Sequence, residues 1–239
     1  MKRLLLLGII LFTTQINAQW LGSKAVKGNN DFTTETRKIS DFDQLNVTGS
    51  FEITLIDGNE ESITLEGESN LLELIVTEVN NDKLTIKTEK HANLNPNKRI
   101  KITIPFKEIH KISLTGSSEI TSNKLIKNEN FAAIITGSGT ISINVEIENL
   151  ESRVTGSGEL NLNGKTKNFE GKLIGSGRIV ATDLTAENVE AGVSGSGKIS
   201  INCEKSLYAR VTGSGKIKYL GNPEKEDTNV LGSGKISSL

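Results

Sequence analysis

A tripeptide recurs through the second half of the chain at nearly constant spacing. Gly-Ser-Gly, followed by one variable residue and then an aliphatic one, begins at Gly137, Gly156, Gly175, Gly195, Gly213 and Gly232, with a degenerate Gly116-Ser117-Ser118 ahead of them. Successive first glycines are separated by 21, 19, 19, 20, 18 and 19 residues. A chain that needs the same corner at that interval, with no helical patterning between corners, is an array of stacked β-structure.

The flanks of each copy obey the same rule. In the copy from Arg153, Val154, Gly156, Gly158, Leu160 and Leu162 share one parity, and Thr155, Ser157, Glu159 and Asn161 share the other. Period two turns the first set inward and the second to solvent. A second break falls between corners, at Asn163-Gly164, Asp183, Asn202 and Gly221-Asn222-Pro223, so each repeat reads as strand, turn, strand, glycine corner. Two architectures suit that order, a meander of antiparallel hairpins and a right-handed parallel β-helix with one repeat per circuit. The glycines favour the β-helix, because equivalent positions of neighbouring rungs lie about 4.8 Å apart and a residue required at one corner is required at all of them. A single rung cannot bury enough apolar surface to offset the ordering of its backbone, so rungs must stack to be stable.

The N-terminus reads as a secretory signal over residues 1–18: Lys2 and Arg3, an apolar run from Leu4 to Phe12, and the small Ala18 before Gln19. That run is well short of the roughly 20 residues a transmembrane helix needs, and no later stretch is a better candidate. The expected mature chain is exported, to the periplasm or the cell surface, with no membrane span once the signal is removed. Residues 19–38 are polar and aperiodic and read as a flexible lead-in; 39–106 reads as an irregular N-terminal β region; 107–239 as the regular array. In the first region Thr48-Gly49-Ser50-Phe51 resembles a corner whose second glycine has become Phe51, a turn stands at Asp57-Gly58-Asn59, Ser69 to Val79 fits a helical turn or a broad strand, and Pro105 marks a strand end. The last copy, GSGKISSL, has no cap after it in the sequence, so the C-terminal edge is expected either to pair with a second protomer or another chain or to be blunted by local disorder, with homo-oligomers as one outcome.

Composition removes whole classes of function. With 28 basic and 29 acidic side chains and 4% aromatic residues, neither the basic surface nor the stacking platforms of a nucleic-acid binder are present. One cysteine, Cys203, permits no internal disulfide, and its parity with Ile199 and Ile201 makes it a core residue. The corners hold no Asp of the kind that ligates calcium in solenoids. A threonine file for ice is broken by Ile174, Ser194 and Leu231. Gly192 to Lys198 matches a phosphate-binding loop, but Ile199 stands where its hydroxyl residue belongs, so the match is a by-product of the repeat. No cofactor or metal is expected. The candidate binding face is the residue after each second glycine: Thr140, Glu159, Arg178, Lys198, Lys216 and Lys235, beside a ladder of corner serines.

Three stretches carry a family likeness: KISDFDQLNVTGSFEITL from Lys38, KRIKITIPF from Lys98, and the Gly-Ser-Gly series ending in GSGKISSL. Together they resemble the putative auto-transporter adhesin head domain, or head GIN domain, of proteins exported by Bacteroidota and related bacteria. The resemblance spans residues 39–239. It implies a right-handed parallel β-helix in the periplasm or at the cell surface, with a role in adhesion and no catalytic residues; nothing in the chain suits the membrane barrel of an autotransporter.

The function expected is that of a non-enzymatic, adhesin-like β-solenoid binding a surface glycan or protein. Two alternatives come from other classes. One is a polysaccharide-processing β-helix enzyme built on Glu151, Glu159 and Glu170, which would have to cluster in a groove. The other is a structural envelope protein assembling through its C-terminal rung.

Overall fold

Stacking begins with two short rungs rather than with the regular array. The structure, a computed structural model, describes residues 25–239; the expected signal and the start at Gln19 lie outside the described residues. The chain first forms β1 (Ala25–Lys27), β2 (Phe32–Lys38), β3 (Gln44–Gly49), β4 (Glu52–Asp57) and β5 (Ser62–Glu68). A helical turn, α1 (Ser69–Leu72), leads to β6 (Ile75–Asn80), β7 (Lys83–Thr88), β8 (Asn93–Asn95) and β9 (Lys101–Phe106). Then come β10 (Lys111–Gly116), β11 (Glu119–Ser122), β12 (Ile126–Gly137), β13 (Thr140–Gly156), β14 (Glu159–Gly175), β15 (Arg178–Gly195), β16 (Lys198–Gly213), β17 (Lys216–Leu220), β18 (Lys225–Gly232) and β19 (Lys235–Ser238).

From β10 onward each strand pairs in parallel with its counterpart one repeat later, corner glycine against corner glycine. The result is a parallel β-solenoid of about seven turns. Its core is the inward parity set: Ile141, Ile143, Val145, Leu150 and Val154 in one rung lie over Leu160, Leu162, Phe169 and Leu173 in the next, all buried. The expected turn is absent from the four middle repeats. β13, β14, β15 and β16 run 17, 17, 18 and 16 residues without interruption, because the ladder to the next rung continues around the bend. Gly164 marks that bend with φ +115, and a Cβ there would lie 2.0 Å from the Val145 carbonyl. Rungs of the array break into two strands between β11 and β12, at residues 123–125, and between β17 and β18, at Gly221-Asn222-Pro223.

Repeats of unequal length are absorbed locally. Between β15 and β16 the register passes from Ala181↔Ile201 to Thr185↔Asn202, dropping three residues, then from Ala186↔Cys203 to Asn188↔Ser206, regaining one. Bulges of this kind let the corners stay aligned although the chain between them varies. Cys203 faces the core, fully buried, its thiol donating to the Ser206 carbonyl at 3.1 Å, and burial pushes its pKa up.

The N-terminal region is wound out of sequence order. β3 lies between β7 and β10, and β4 between β9 and β11, all in parallel. The chain therefore lays down β3 and β4, builds the rung beneath them, and crosses over to start the array on their other side. Gly49 pairs with Gly116 as a true corner, and the Phe51 ring packs where a Gly49 side chain would stand. Antiparallel strands close this end: β6 on β7, through an Asn81-Asp82 turn with φ 51 and 57, and β5 on β9 with β2 outside it. β9 pairs with β5 only over Lys101 to Thr103, so Pro105, in the last two residues of β9, has no ladder bond to give on that side.

The flexible lead-in needs correction over its described part. From Ala25 the segment forms β1, paired with β8, and β2, paired along its whole length with β5. Its polar composition misleads because β2 is an outer strand, held by its backbone and by Arg37, which donates to the carbonyls of Ile75 and Leu72.

Candidate functional site

The glycine corner dictates where the outward side chains stand. At Gly195 φ is +119 and a Cβ would lie 2.6 Å from the Gly175 carbonyl oxygen, so the backbone takes a conformation and a closeness that other residues resist. Two residues on, a Cβ at Gly197 would meet Leu173 at 2.5 Å. With both glycines in place, the N–H of Ser196 donates to the Gly175 carbonyl and that of Lys198 to the Gly177 carbonyl. The next side chain then always leaves the corner in the same direction.

That geometry gathers all six residues of the expected face into one file. Thr140, Glu159, Arg178, Lys198, Lys216 and Lys235 are register partners in sequence, with Glu119, Glu52 and Lys101 continuing the file toward the N-terminal end. Charge is not evenly distributed along it. Lys101 pairs with Glu52 at 3.9 Å, Arg99 with Glu119 at 3.3 Å and Arg178 with Glu159 at 3.5 Å. Beyond Arg178 the file is cationic to the last rung, and among the described residues Lys198, Lys216 and Lys235 have no ion pair. Lys218 stands two residues from Lys216 on the same strand and face, and the hydroxyls of Ser214 and Ser233 lie 3.0 Å apart beside it.

Elsewhere several outward charges pair from rung to rung. Lys127 meets Glu146 at 2.9 Å, Lys167 meets Glu148 at 2.9 Å, Lys205 meets Glu187 at 2.7 Å and Arg210 meets Asp227 at 2.9 Å. The hydrogen bonds from these cations hold Glu146, Glu187 and Asp227 below the usual carboxylate range. At the cationic end of the corner file Lys198, Lys216 and Lys235 face one another instead, and like charges on directly facing strand positions repel.

A second feature is a groove of about 760 Å³ across the rungs from His110 to Tyr208. Its first wall is an amide ladder: Asn149 donates to Asn130 at 3.0 Å, Asn168 to Asn149 at 2.8 Å, Asn188 to Asn168 at 3.0 Å, and the Ser206 hydroxyl to Asn188 at 2.7 Å. Its second wall is the file Ala132, Glu151, Glu170, Glu190 and Tyr208. The groove exists because two consecutive residues face outward at this bend, as at Glu148-Asn149 and Lys167-Asn168, which reverses the inward parity. Sequence reading missed the ladder, though its signal was there: Asn130, Asn149, Asn168, Asn188 and Ser206 each stand seven residues before the first glycine of a corner.

Of the three glutamates considered for catalysis, the fold brings together two. Glu151 and Glu170 are register partners in the groove wall, while Glu159 stands in the corner file. Both wall carboxylates are engaged by a cation two residues on, Glu151 with Arg153 at 3.1 Å and Glu170 with Lys172. The bond to Glu170 raises the Lys172 pKa. The segment resembling a phosphate loop, Gly192 to Ile199, runs from β15 through a corner into β16, with no helix N-terminus to receive a phosphate.

A family model described as "Putative auto-transporter adhesin, head GIN domain" matches residues 41–223. The chain belongs to the head GIN domain family. This head GIN domain superposes on the crystal structure of a putative adhesin from Bacteroides fragilis NCTC 9343 with a TM-score of 0.85 at 25% identity, covering 90% of this chain and 100% of that one. A putative lipid binding protein from Parabacteroides distasonis ATCC 8503 gives 0.74 at 26% identity over 90% and 100%. A putative adhesin from Parabacteroides merdae ATCC 43184 gives 0.71 at 19% identity over 90% and 99%, a likeness of fold. No curated protein matches this head GIN domain. Among its described residues no helix is long and apolar enough to cross a membrane.

Proposed function

We propose that this protein is an exported, non-enzymatic, adhesin-like binding protein of the periplasm or cell surface, and that it holds an anionic polymer along Thr140, Glu159, Arg178, Lys198, Lys216 and Lys235. The observation that carries this reading is the run of four cations in register, three of them without a carboxylate. Aligned like charges cost stability unless a ligand of opposite sign meets them. Rungs about 4.8 Å apart present the ammonium groups at a regular interval, which suits many weak contacts with a repeating chain. The naming of the family and of its solved relatives as putative adhesins supports the same reading. The engagement of Glu151 and Glu170 by Arg153 and Lys172 weighs against the enzyme.

The experiment is binding of the purified chain from Gln19 to an array of acidic and neutral glycans and matrix proteins, with release of reducing ends followed on the same glycans. Expected is binding to acidic members that weakens with salt, without release, and that is lost in the Lys198→Glu, Lys216→Glu, Lys235→Glu triple variant. Vesicles of anionic phospholipid are included because one relative is described as a putative lipid binding protein. Preference for them would move the ligand from glycan to lipid headgroup, and release of reducing ends would replace the binding protein by an enzyme.

A further inference from the structure

Among the described glycines, Gly192 alone has no packing reason to be glycine. A Cβ at any of the others would meet a neighbouring atom within 4 Å, whereas one at Gly192 would meet nothing, and its φ lies outside the positive region. It stands in the middle of β15, where glycine is unfavourable relative to alanine. Its register partners on the two sides are Lys172 and Arg210, and Arg153 precedes Lys172 in the same file. The file therefore reads Arg153, Lys172, Gly192, Arg210, a row of long cations with one side chain missing.

The missing side chain changes the groove wall beside it. Glu151 and Glu170 are each engaged by the cation two residues along their own strand. The equivalent position for Glu190 is Gly192, and among the described residues Glu190 has no ion pair. Asn188, two residues earlier on the same strand, spends one amide N–H on Asn168 and its carbonyl on Ser206, which leaves a second N–H. Tyr208, the register partner of Glu190 on the next rung, is 43% exposed and lines the groove. Its ring is fixed by the Arg210 guanidinium 3.9 Å away, which is itself tied to Asp227.

We propose that Gly192 leaves a notch beside the groove wall, at which Glu190, with Asn188 beside it and Tyr208 one rung on, holds a sugar ring of a neutral glycan. A pyranose offers a C–H face to an aromatic ring and an edge of hydroxyls that both donate and accept. The carboxylate of Glu190 accepts from such hydroxyls, the Asn188 amide donates to one, and the Tyr208 ring takes the C–H face. Neutral sugars are favoured over acidic ones because Glu151, Glu170 and Glu190 line one wall of the groove and no lysine or arginine lines it. The site lies in a different file from the cationic corner residues, so it stands or falls independently of the reading above.

The test uses the whole chain from Gln19, titrated with neutral gluco-, manno-, galacto- and xylo-oligosaccharides and followed by calorimetry and by amide shifts. At least one series is expected to bind, with shifts centred on Asn188, Glu190, Gly192 and Tyr208. Glu190→Gln and Tyr208→Ala each weaken it by about tenfold or more, as loss of one well-made contact does, while Tyr208→Phe retains the stacking and most of the affinity. Gly192→Lys restores the missing cation, leaves the unfolding midpoint unchanged or higher, and weakens binding to a similar degree. Lys165→Gln, exposed and outside the groove, leaves it unchanged. The proposal is overturned if none of the four series shifts these residues, or if binding persists in both Gly192→Lys and Tyr208→Ala.

Discussion

Gly192 and Gly195 stand three residues apart in β15 and answer to opposite constraints. Alanine at Gly195 meets a carbonyl oxygen at 2.6 Å in a positive-φ backbone, and is expected to lower stability by about 1–3 kcal/mol in urea unfolding. Alanine at Gly192 meets nothing and restricts the unfolded chain, and is expected to raise stability by roughly 0.5–1 kcal/mol in the same measurement. Ser152 offers a third contrast. It faces the core between Ala133 and Gly171, and its hydroxyl is buried with no hydrogen-bond partner among the described residues. Removing that oxygen in Ser152→Ala leaves no partner unpaired, so the variant should be more stable by about 1 kcal/mol. The corner glycines announce themselves in the sequence by recurring; Gly192 and Ser152 do not, because what sets them apart is the space around them.

At the scale of elements, a single carboxylate ties together the loops that flank the closing strands at the N-terminal end. Glu68, buried at the end of β5, accepts from the N–H of Asn30 at 2.8 Å, the N–H of Asn97 at 2.9 Å and the Asn97 amide at 2.6 Å, joining the loop after β1 to the loop before β9. Burial pushes its pKa up, but the Asn97 and Asn30 donors together with Lys27 outweigh it, and the net shift is downward. A carboxyl whose folded pKa lies below its unfolded one contributes stability above the unfolded pKa and loses it as pH falls through the folded value. Acidification below the ordinary carboxylate range should therefore release β1 and β2 while β12 to β16 remain protected, as read by amide hydrogen exchange, and Glu68→Gln should produce the same loosening at neutral pH. The strand end near Pro105 was legible from local residue types, while Ser69 to Val79, open between a helical turn and a broad strand, holds the turn α1 and then β6. The strands inside the expected lead-in were not, since β2 is held by backbone pairing that leaves no apolar pattern in its own residues.

Across the whole molecule the two ends differ. β18 pairs only with β16 and β19 only with β17, and every residue of β18 is exposed. Hydrogen exchange is accordingly expected to be fastest in β18 and β19 and slowest in β13 to β15, where each strand has a neighbour on both sides. The inward file that runs through Phe169, Val189 and Leu207 reaches β18 as Glu226, which accepts from Tyr219 at 3.0 Å, and the next inward position is Thr228. Inward charge on an outer strand discourages edge pairing. Replacing Glu226 by Leu and Thr228 by Val continues the aliphatic files to the end, and sedimentation should then show association that rises with concentration well above that of the parent chain. What the sequence alone determined was everything periodic: solenoid rather than mixed fold, rungs of about nineteen residues, aliphatic files within, and the alignment of Thr140 through Lys235 in one outward row. These follow from parity and from a corner that only glycine tolerates, both properties of residues close together in the chain. Tertiary structure decided the rest: β3 threaded between β7 and β10, Glu151 beside Glu170 rather than Glu159, the groove under the asparagine ladder, and the gap at Gly192. Each of these depends on which residues of different rungs face one another, and the bulges and bends that set that register are resolved only when the rungs stack.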